Sequence, residues 1–266
     1  PANAIADSTL YLGTAMASLS GTISAGRAQM DLFGCVVVAV ITAIGGGTTR
    51  DLILGRAVYW VADRAHLLIA LIVAISTFVV WPFLTTHLAS VDASDLVFLW
   101  SDAIGMASSS IMGSHIGILQ TRSNVIAIVC GTLTAVAGGI IRDVLCQEKP
   151  RALYAERSMY ATPALFGAAA YACLYEARQR AIEYGVGSAI PRWLTAVLPW
   201  SIALLLRAAA WTFRLSLPHW ARRKSRRPRL LKGPEPTGEE YEVVVTAASG
   251  TNAMSTALRS KLSKLL

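Results

Sequence analysis

Two short elements decide how this sequence reads: Gly45-Gly46-Gly47-Thr48-Thr49-Arg50-Asp51 and Gly138-Gly139-Ile140-Ile141-Arg142-Asp143. Each sits near the end of an apolar run, 32–54 for the first and 123–146 for the second. Such runs match the roughly 20 residues that a helix needs to cross hydrocarbon. Consecutive glycines weaken a helix by about 1 kcal/mol each relative to alanine, which predicts a bend or unwinding at both places. Carbonyls freed there need partners from protein or water. A hydrated interior, where they can face a cation, is their expected location. Arg and Asp inside an apolar stretch are costly unless paired or hydrated. Neighbouring residues on a helix point apart, so Arg50 is not expected simply to neutralise Asp51. Cross-pairing, Arg50 with Asp143 and Arg142 with Asp51, is one arrangement. Arg facing a path while Asp caps a neighbouring helix is another. A third uses glycine for tight packing and the charges as interfacial anchors.

The two elements belong to a longer internal match at a shift of 92 residues. Gly13, Ala15, Ser18 and Gly21 meet Gly105, Ala107, Ser110 and Gly113, and Thr42-Ala43 meets Thr134-Ala135. Over 13–51 against 105–143, 11 of 39 positions are identical without a gap, rare charges among them. Each copy contains three apolar runs, an odd number. The second copy must then enter a membrane from the opposite side, giving an inverted repeat whose halves enclose a symmetric path.

Composition agrees with this reading. Of the 266 residues 54% are hydrophobic and 15% charged, against about 25% charged in soluble domains, and the mean hydropathy is +0.51. A disordered chain, a disulfide scaffold and an ordinary soluble enzyme are excluded. Seven apolar runs can be marked, at about 8–26, 32–54, 65–84, 96–119, 123–146, 159–176 and 193–214. The expected fold is an all-α membrane protein of seven transmembrane helices. Repeats at about 8–84 and 96–176 form it, with the seventh helix outside them. No basic region precedes the first run, so no signal peptide is expected. Cys35, Cys130, Cys146 and Cys173 follow neither a disulfide nor a zinc spacing and are expected as small buried hydrophobes.

The charge is uneven. Residues 1–218 carry 14 Lys/Arg and 12 Asp/Glu, and residues 219–266 carry 10 and 4. The basic cluster Arg222, Arg223, Lys224, Arg226, Arg227, Arg229 and Lys232 directly follows the last run. Positive charge beside a span stays in the cytoplasm, so the C terminus is expected inside and the N terminus outside. The stretch 219–266 is expected to be largely disordered, with 255–266 a short amphipathic helix, and to meet anionic lipid headgroups. It lacks the interleaved aromatics of a nucleic-acid binder, so no nucleic-acid partner is expected.

Further polar groups fall inside the runs. Asp102 would be costly in the fourth run unless hydrated or hydrogen-bonded, and Arg207 in the seventh could snorkel, pair with Asp102 or line a path. Ser18 and Ser110, at matching repeat positions, either hydrate a pore or act as packing glue. His115 reads as a satisfied or interfacial histidine, and no histidine has metal-ligand spacing. No phosphate loop, nucleophile elbow or His-Glu-x-x-His motif occurs. No catalysis, cofactor or metal is expected.

The stretches Gly13-Thr14-Ala15, Ser20-Gly21, Ala25-Gly26-Arg27, Met30-Asp31-Leu32-Phe33-Gly34 and Gly45 through Leu52 resemble the prokaryotic trimeric intracellular cation channel family. Gly138 through Leu145 and Tyr160-Ala161-Thr162-Pro163-Ala164-Leu165 add to the resemblance, which covers about 8–218. It implies a homotrimer in the bacterial inner membrane with a pore in each protomer passing potassium and other monovalent cations. By the same resemblance, Gly45, Gly46, Gly47, Thr48, Arg50 and Asp51, with Gly138, Gly139, Arg142 and Asp143, lie beside that pore on kinked second and fifth helices. Some members of the same domain family are described as glycine transporters. A carrier for glycine or a similar small zwitterion is therefore the alternative, with Arg50 or Arg142 meeting the carboxylate. The sequence departs from the family at Ala137, where a third glycine is missing, and in the serine-rich Ser108–Gly113 segment.

Overall fold

The computed structural model describes residues 2–87, 91–154, 159–185 and 191–217, the side chains of 2–8, 86–87 and 91–93 excepted. Among these, every regular element is a helix: α1 (Ala2–Arg27), α2 (Leu32–Ile53), α3 (Tyr59–Ala62), α4 (Ala65–His87), α5 (Val91–Thr121), α6 (Asn124–Leu145), α7 (Ala161–Glu183) and α8 (Arg192–Thr212). The seven long helices fall on the seven apolar runs. The single turn of α3 had no counterpart in the sequence reading. The chain divides into a unit of residues 1–219 and a second of 220–266. The second, and with it the expected basic tail, lies outside the described residues.

Five helices, α2, α4, α5, α6 and α8, are long and apolar enough to cross a membrane. α1 and α7 are not among them: α1 is rich in Ser, Thr and Gly, and the last turns of α7 carry Glu176, Arg178, Arg180 and Glu183. α4 turns Ile72, Ile75, Val79, Val80 and Phe83 outward. Lipid covers such a face at no cost, and water does not. Between helices the buried residues are small, with Ala25, Ala39, Ala70, Ala103 and Ala107 fully or nearly fully enclosed. Small side chains let backbones approach where lipid offers no hydrophobic drive to associate.

The centre is built from α1, α2, α5 and α6; α4 packs on α1 and α2, α7 packs on α5 and α6, and α8 lies against α7 and α5. Local chemistry repeats between α2 and α6. Asp31 caps α2 by accepting from the Gly34 N–H at 2.8 Å, and Ser123, 92 residues on, caps α6 from Ile126 at 3.5 Å. Both helices end alike. The Arg56 N–H donates to the Asp51 carbonyl at 3.0 Å and that of Glu148 to Asp143 at 2.8 Å. The reversal runs through Gly55 (φ 63°) and Gln147 (φ 57°), a Schellman-type stop that glycine meets without strain.

One expectation is corrected: α2 and α6 do not unwind but are helical without interruption through Gly45–Gly47 and Gly138–Gly139. The propensity lost at each glycine is smaller than the several kcal/mol that an unsatisfied backbone group costs in lipid, so the helices persist and no carbonyls are freed. Of the two alternatives for Ser18 and Ser110, the structure shows packing contacts. Each is fully buried and donates to a carbonyl of a neighbouring helix, Ala70 and Ala164 respectively, both at 2.7 Å. Cys35, Cys130 and Cys146 are buried as expected, whereas Cys173 is exposed on α7.

Candidate ion and substrate path between α2 and α6

The glycines are used for contact. A Cβ built on Gly46 would run into the carbonyl oxygen of Thr134, and one on Gly138 into that of Thr42. These contacts are the same one seen from each side, since 46 and 138, and 42 and 134, are 92 apart. Gly45 faces the same crossing, its Cβ position 3.8 Å from Gly138 Cα. The side chains of Thr42 and Thr134 bond back to Val38 and Cys130 on their own helices, both at 2.6 Å. That satisfies their hydroxyls where the backbones touch.

One turn further, each helix carries its Arg–Asp pair. Arg50 donates from Nε (2.9 Å) and Nη2 (2.7 Å) to Asp51 Oδ1. Arg142 donates from Nε to Asp143 Oδ1 at 2.9 Å. The expectation that adjacent residues would avoid each other, and the cross-pairing Arg50–Asp143 and Arg142–Asp51, are both corrected. The reach of an arginine exceeds the turn between neighbours, and all four groups are buried, so leaving either member unpaired would be expensive. The second carboxylate oxygen is also used in both. Asp51 Oδ2 accepts from the Tyr59 N–H at 2.8 Å and Asp143 Oδ2 from the Arg151 N–H at 2.9 Å. Each aspartate therefore ties the end of its helix to the segment eight residues on.

The second pair has an addition. Arg142 also donates Nη1 to Asp102 of α5 at 2.7 Å and to Ser20 at 3.3 Å. Tyr160 donates to the same Asp102 Oδ1 at 3.2 Å. Arg207 of α8 lies 3.9 Å from Asp102 Oδ2 and over the Tyr160 ring at 4.5 Å. The first pair has a different neighbour: Tyr59 lays its ring 5.6 Å from the Arg50 guanidinium and 4.9 Å from His66. His66 Nδ1 is 3.2 Å from the Thr14 hydroxyl. Beside it, outside the spans, Asp63 accepts from the Ala65 N–H at 3.0 Å and from the Tyr11 hydroxyl at 2.9 Å. Those donors hold the Asp63 carboxyl below its ordinary value.

These groups enclose a narrow cavity of about 30 Å³, room for on the order of one or two waters. Arg50, Asp102, Arg142, Thr42, Thr134 and Tyr160 are on its wall, with Gly47, Gly138 and Gly139. Gly45, Gly46, Asp51 and Asp143 stand behind that wall, and Thr48 is engaged with Trp60 Nε1 at 2.9 Å. Tyr59 and Tyr160 were not singled out as site residues. For Tyr59 the available signal was position, eight residues after Asp51; Tyr160 opens the stretch Tyr160–Leu165 that carries part of the family resemblance. A wider vestibule of about 710 Å³ lies beyond Asp102, with Arg27, Lys149, Arg151, Arg207 and Arg214 on its wall against Asp95 and Glu148.

A helical membrane protein with a buried, charged cavity between two matched helices is the class these features define. The chain belongs to the family whose model is described as glycine transporter, matched over residues 9–82 and 99–176. It is 35% identical to a membrane protein of Vibrio cholerae over 227 residues, 82% of this chain and 85% of that one. It is 34% identical to the inner membrane protein YadS of Escherichia coli K12 over 211 residues, 79% and 93% of the two chains. The trimeric intracellular cation channel orthologue of Rhodobacter sphaeroides has the same fold, with a TM-score of 0.66 at 32% identity over 79% of this chain and 99% of that one.

Proposed function

We propose that this protein is a channel for monovalent cations, potassium among them, with one pore inside each protomer of a homotrimer in the bacterial inner membrane. The observation that carries the reading is the polar cavity among α1, α2, α5 and α6, in a chain that shares its fold with a cation channel at 32% identity. All seven long helices cross the bilayer in this reading. The triplets α1/α2/α4 and α5/α6/α7 insert oppositely, as an odd number of spans requires, and α8 stands apart. The matched caps, the reciprocal glycine contacts and the matched Arg–Asp pairs support that arrangement. The N terminus then lies outside, and the basic stretch 219–266 lies in the cytoplasm against anionic headgroups.

The path is lined by hydroxyls and compensated charges, not by unwound carbonyls. Thr42, Thr134 and Ser109 offer oxygen ligands to a partly dehydrated ion. The Arg–Asp pairs hold fixed charge beside it while keeping the wall close to neutral, so one ion at a time enters without a large barrier. Flux through the purified protein in liposomes, comparing potassium, sodium and glycine, tests the reading. Gly46→Leu drives a side chain into the Thr134 backbone and abolishes potassium flux; unchanged flux in Gly46→Leu and Gly139→Leu counts against the path.

A second reading is a carrier for glycine or a similar small zwitterion. The vestibule favours it, because five cationic side chains against two carboxylates collect a carboxylate more readily than a metal cation. Saturable glycine uptake with counterflow, lost in Arg50→Ala, selects the carrier.

A further inference from the structure

We infer that Asp102 is the carboxylate of a site for one singly charged cation, and that Arg207 is a tethered cation held at that site when the path is shut. The inference rests on the channel reading above and names the group that would block it. Asp102 is 5% exposed. Its Oδ1 is fully engaged by Arg142 and Tyr160. Its Oδ2 is buried and accepts no hydrogen bond among the described residues. Buried carboxylate oxygens are rarely left so. The nearest positive group, Arg207 Nη2, is at 3.9 Å, beyond hydrogen-bond distance yet close enough to compensate charge. An oxygen facing a cation without bonding it is a ligand position that is guarded but not filled.

Position gives the pair its role. Asp102 is on the wall of the inner cavity and Arg207 is on the wall of the vestibule. The two side chains that line these separate spaces approach to 3.9 Å. Arg207 comes from α8, which no repeat duplicates, and the residue matching Asp102 in the first half is Leu10. The site is therefore single in each protomer. Arg207 also donates Nη1 to the Met159 carbonyl at 2.8 Å. When the arginine withdraws, that carbonyl is released beside Asp102, so an incoming cation finds a second oxygen. The withdrawn guanidinium has somewhere to rest: the ring of Trp211, one turn along α8 and already 5.8 Å away, faces the vestibule.

Charge decides which cations can exchange. Around the site stand Arg142, Arg151 and Arg207 against Asp102 and Asp143. Replacing the guanidinium with a singly charged ion leaves this balance unchanged, whereas a divalent ion adds a charge in a low-dielectric setting where that is most costly. The site thus admits monovalent cations and disfavours divalent ones.

The test compares wild type, Arg207→Gln, Arg207→Lys, Asp102→Asn and the Asp102→Asn/Arg207→Gln double variant, each as the full chain, monodisperse and reconstituted in liposomes. Arg207→Gln is expected to raise potassium flux roughly fivefold or more, as the loss of a close Coulombic attraction allows. Arg207→Lys keeps a tethered charge and stays near wild type. Free guanidinium in the buffer inhibits Arg207→Gln and leaves wild type little changed, a response that a packing role for Arg207 would not produce. Equal flux in wild type and Arg207→Gln, both above protein-free vesicles, overturns the inference and leaves the channel reading standing. A gain that persists in the double variant overturns the Asp102 site. Flux no greater than protein-free vesicles in every variant overturns the channel reading and the site with it.

Discussion

Arg50 and Arg142 occupy matching places on matching helices, one turn past a shared glycine contact, yet they are not equals. Arg50 answers one aspartate, and Arg56 reaches the same carboxylate from 3.6 Å. Arg142 answers Asp143 and Asp102, and it draws in Tyr160, Ser20 and Arg207. The repeated frame fixes where a buried arginine stands. Single unrepeated residues on α5 and α8 decide what is built around it. The matched positions share their geometry, and residues without a match, such as Asp102 opposite Leu10, set the two surroundings apart.

The largest test of this contrast removes each arginine. Arg142→Gln leaves two carboxylates short of their main partner and is expected at the upper end of the about 3–5 kcal/mol typical of a broken buried pair. Arg50→Gln, with Arg56 still beside Asp51, falls at the lower end. Thermal midpoints in detergent read the difference, and equal midpoints would mean that Asp102 adds nothing. The glycine contact is expected to show the opposite pattern, with no asymmetry. Gly46→Ala and Gly138→Ala each push a methyl into a backbone carbonyl and should cost about 1–3 kcal/mol apiece, equally. Gly26→Ala, with open space at its Cβ, should be tolerated. A marked inequality between the first two would break the symmetry of the crossing.

Smaller effects sharpen the comparison. Tyr160→Phe removes a hydrogen bond to Asp102 and should lower stability by about 1 kcal/mol. Tyr59→Phe should change little, since its hydroxyl makes no hydrogen bond among the described residues. The smallest effect belongs to Asp63 beside the first half. Its carboxyl is held below the ordinary value by the Ala65 N–H and the Tyr11 hydroxyl. A lowered folded value contributes stability that is fully present above the unfolded carboxylate range, about 3.9, and that fades as pH falls through the folded value. Asp63→Asn should flatten the decline of the thermal midpoint between about pH 6 and pH 3, and an unchanged decline would remove Asp63 from the account.

The long helices were legible because a bilayer forces apolar runs of fixed length, and the match at 92 residues was legible because charges are rare within such runs. The glycines were found but misread. Propensity argued for a broken helix, whereas the missing Cβ serves a backbone crossing that no one-dimensional pattern reveals. The Arg–Asp pairs were misread for a related reason: angular separation on a helix was weighed, and the length of the arginine side chain was not. Ser18 and Ser110 were legible only as alternatives, since a hydroxyl in a helix looks the same whether it faces water or a neighbour's carbonyl. Tyr59 sits outside the motifs and Tyr160 inside one, and only the fold brings their rings to Arg50 and Arg207. Asp102 and Arg207 were marked by cost alone, which is why the sequence found both and could not say which atom was left over.

The reciprocal seating of Gly46 on Thr134 and Gly138 on Thr42 has a mechanical consequence. No rotamer stands between the two helices at their closest approach, so neither must flip a side chain for one to swivel against the other. A tilt imposed on either helix is met at that point by backbone against backbone, with no flexible group there to give way.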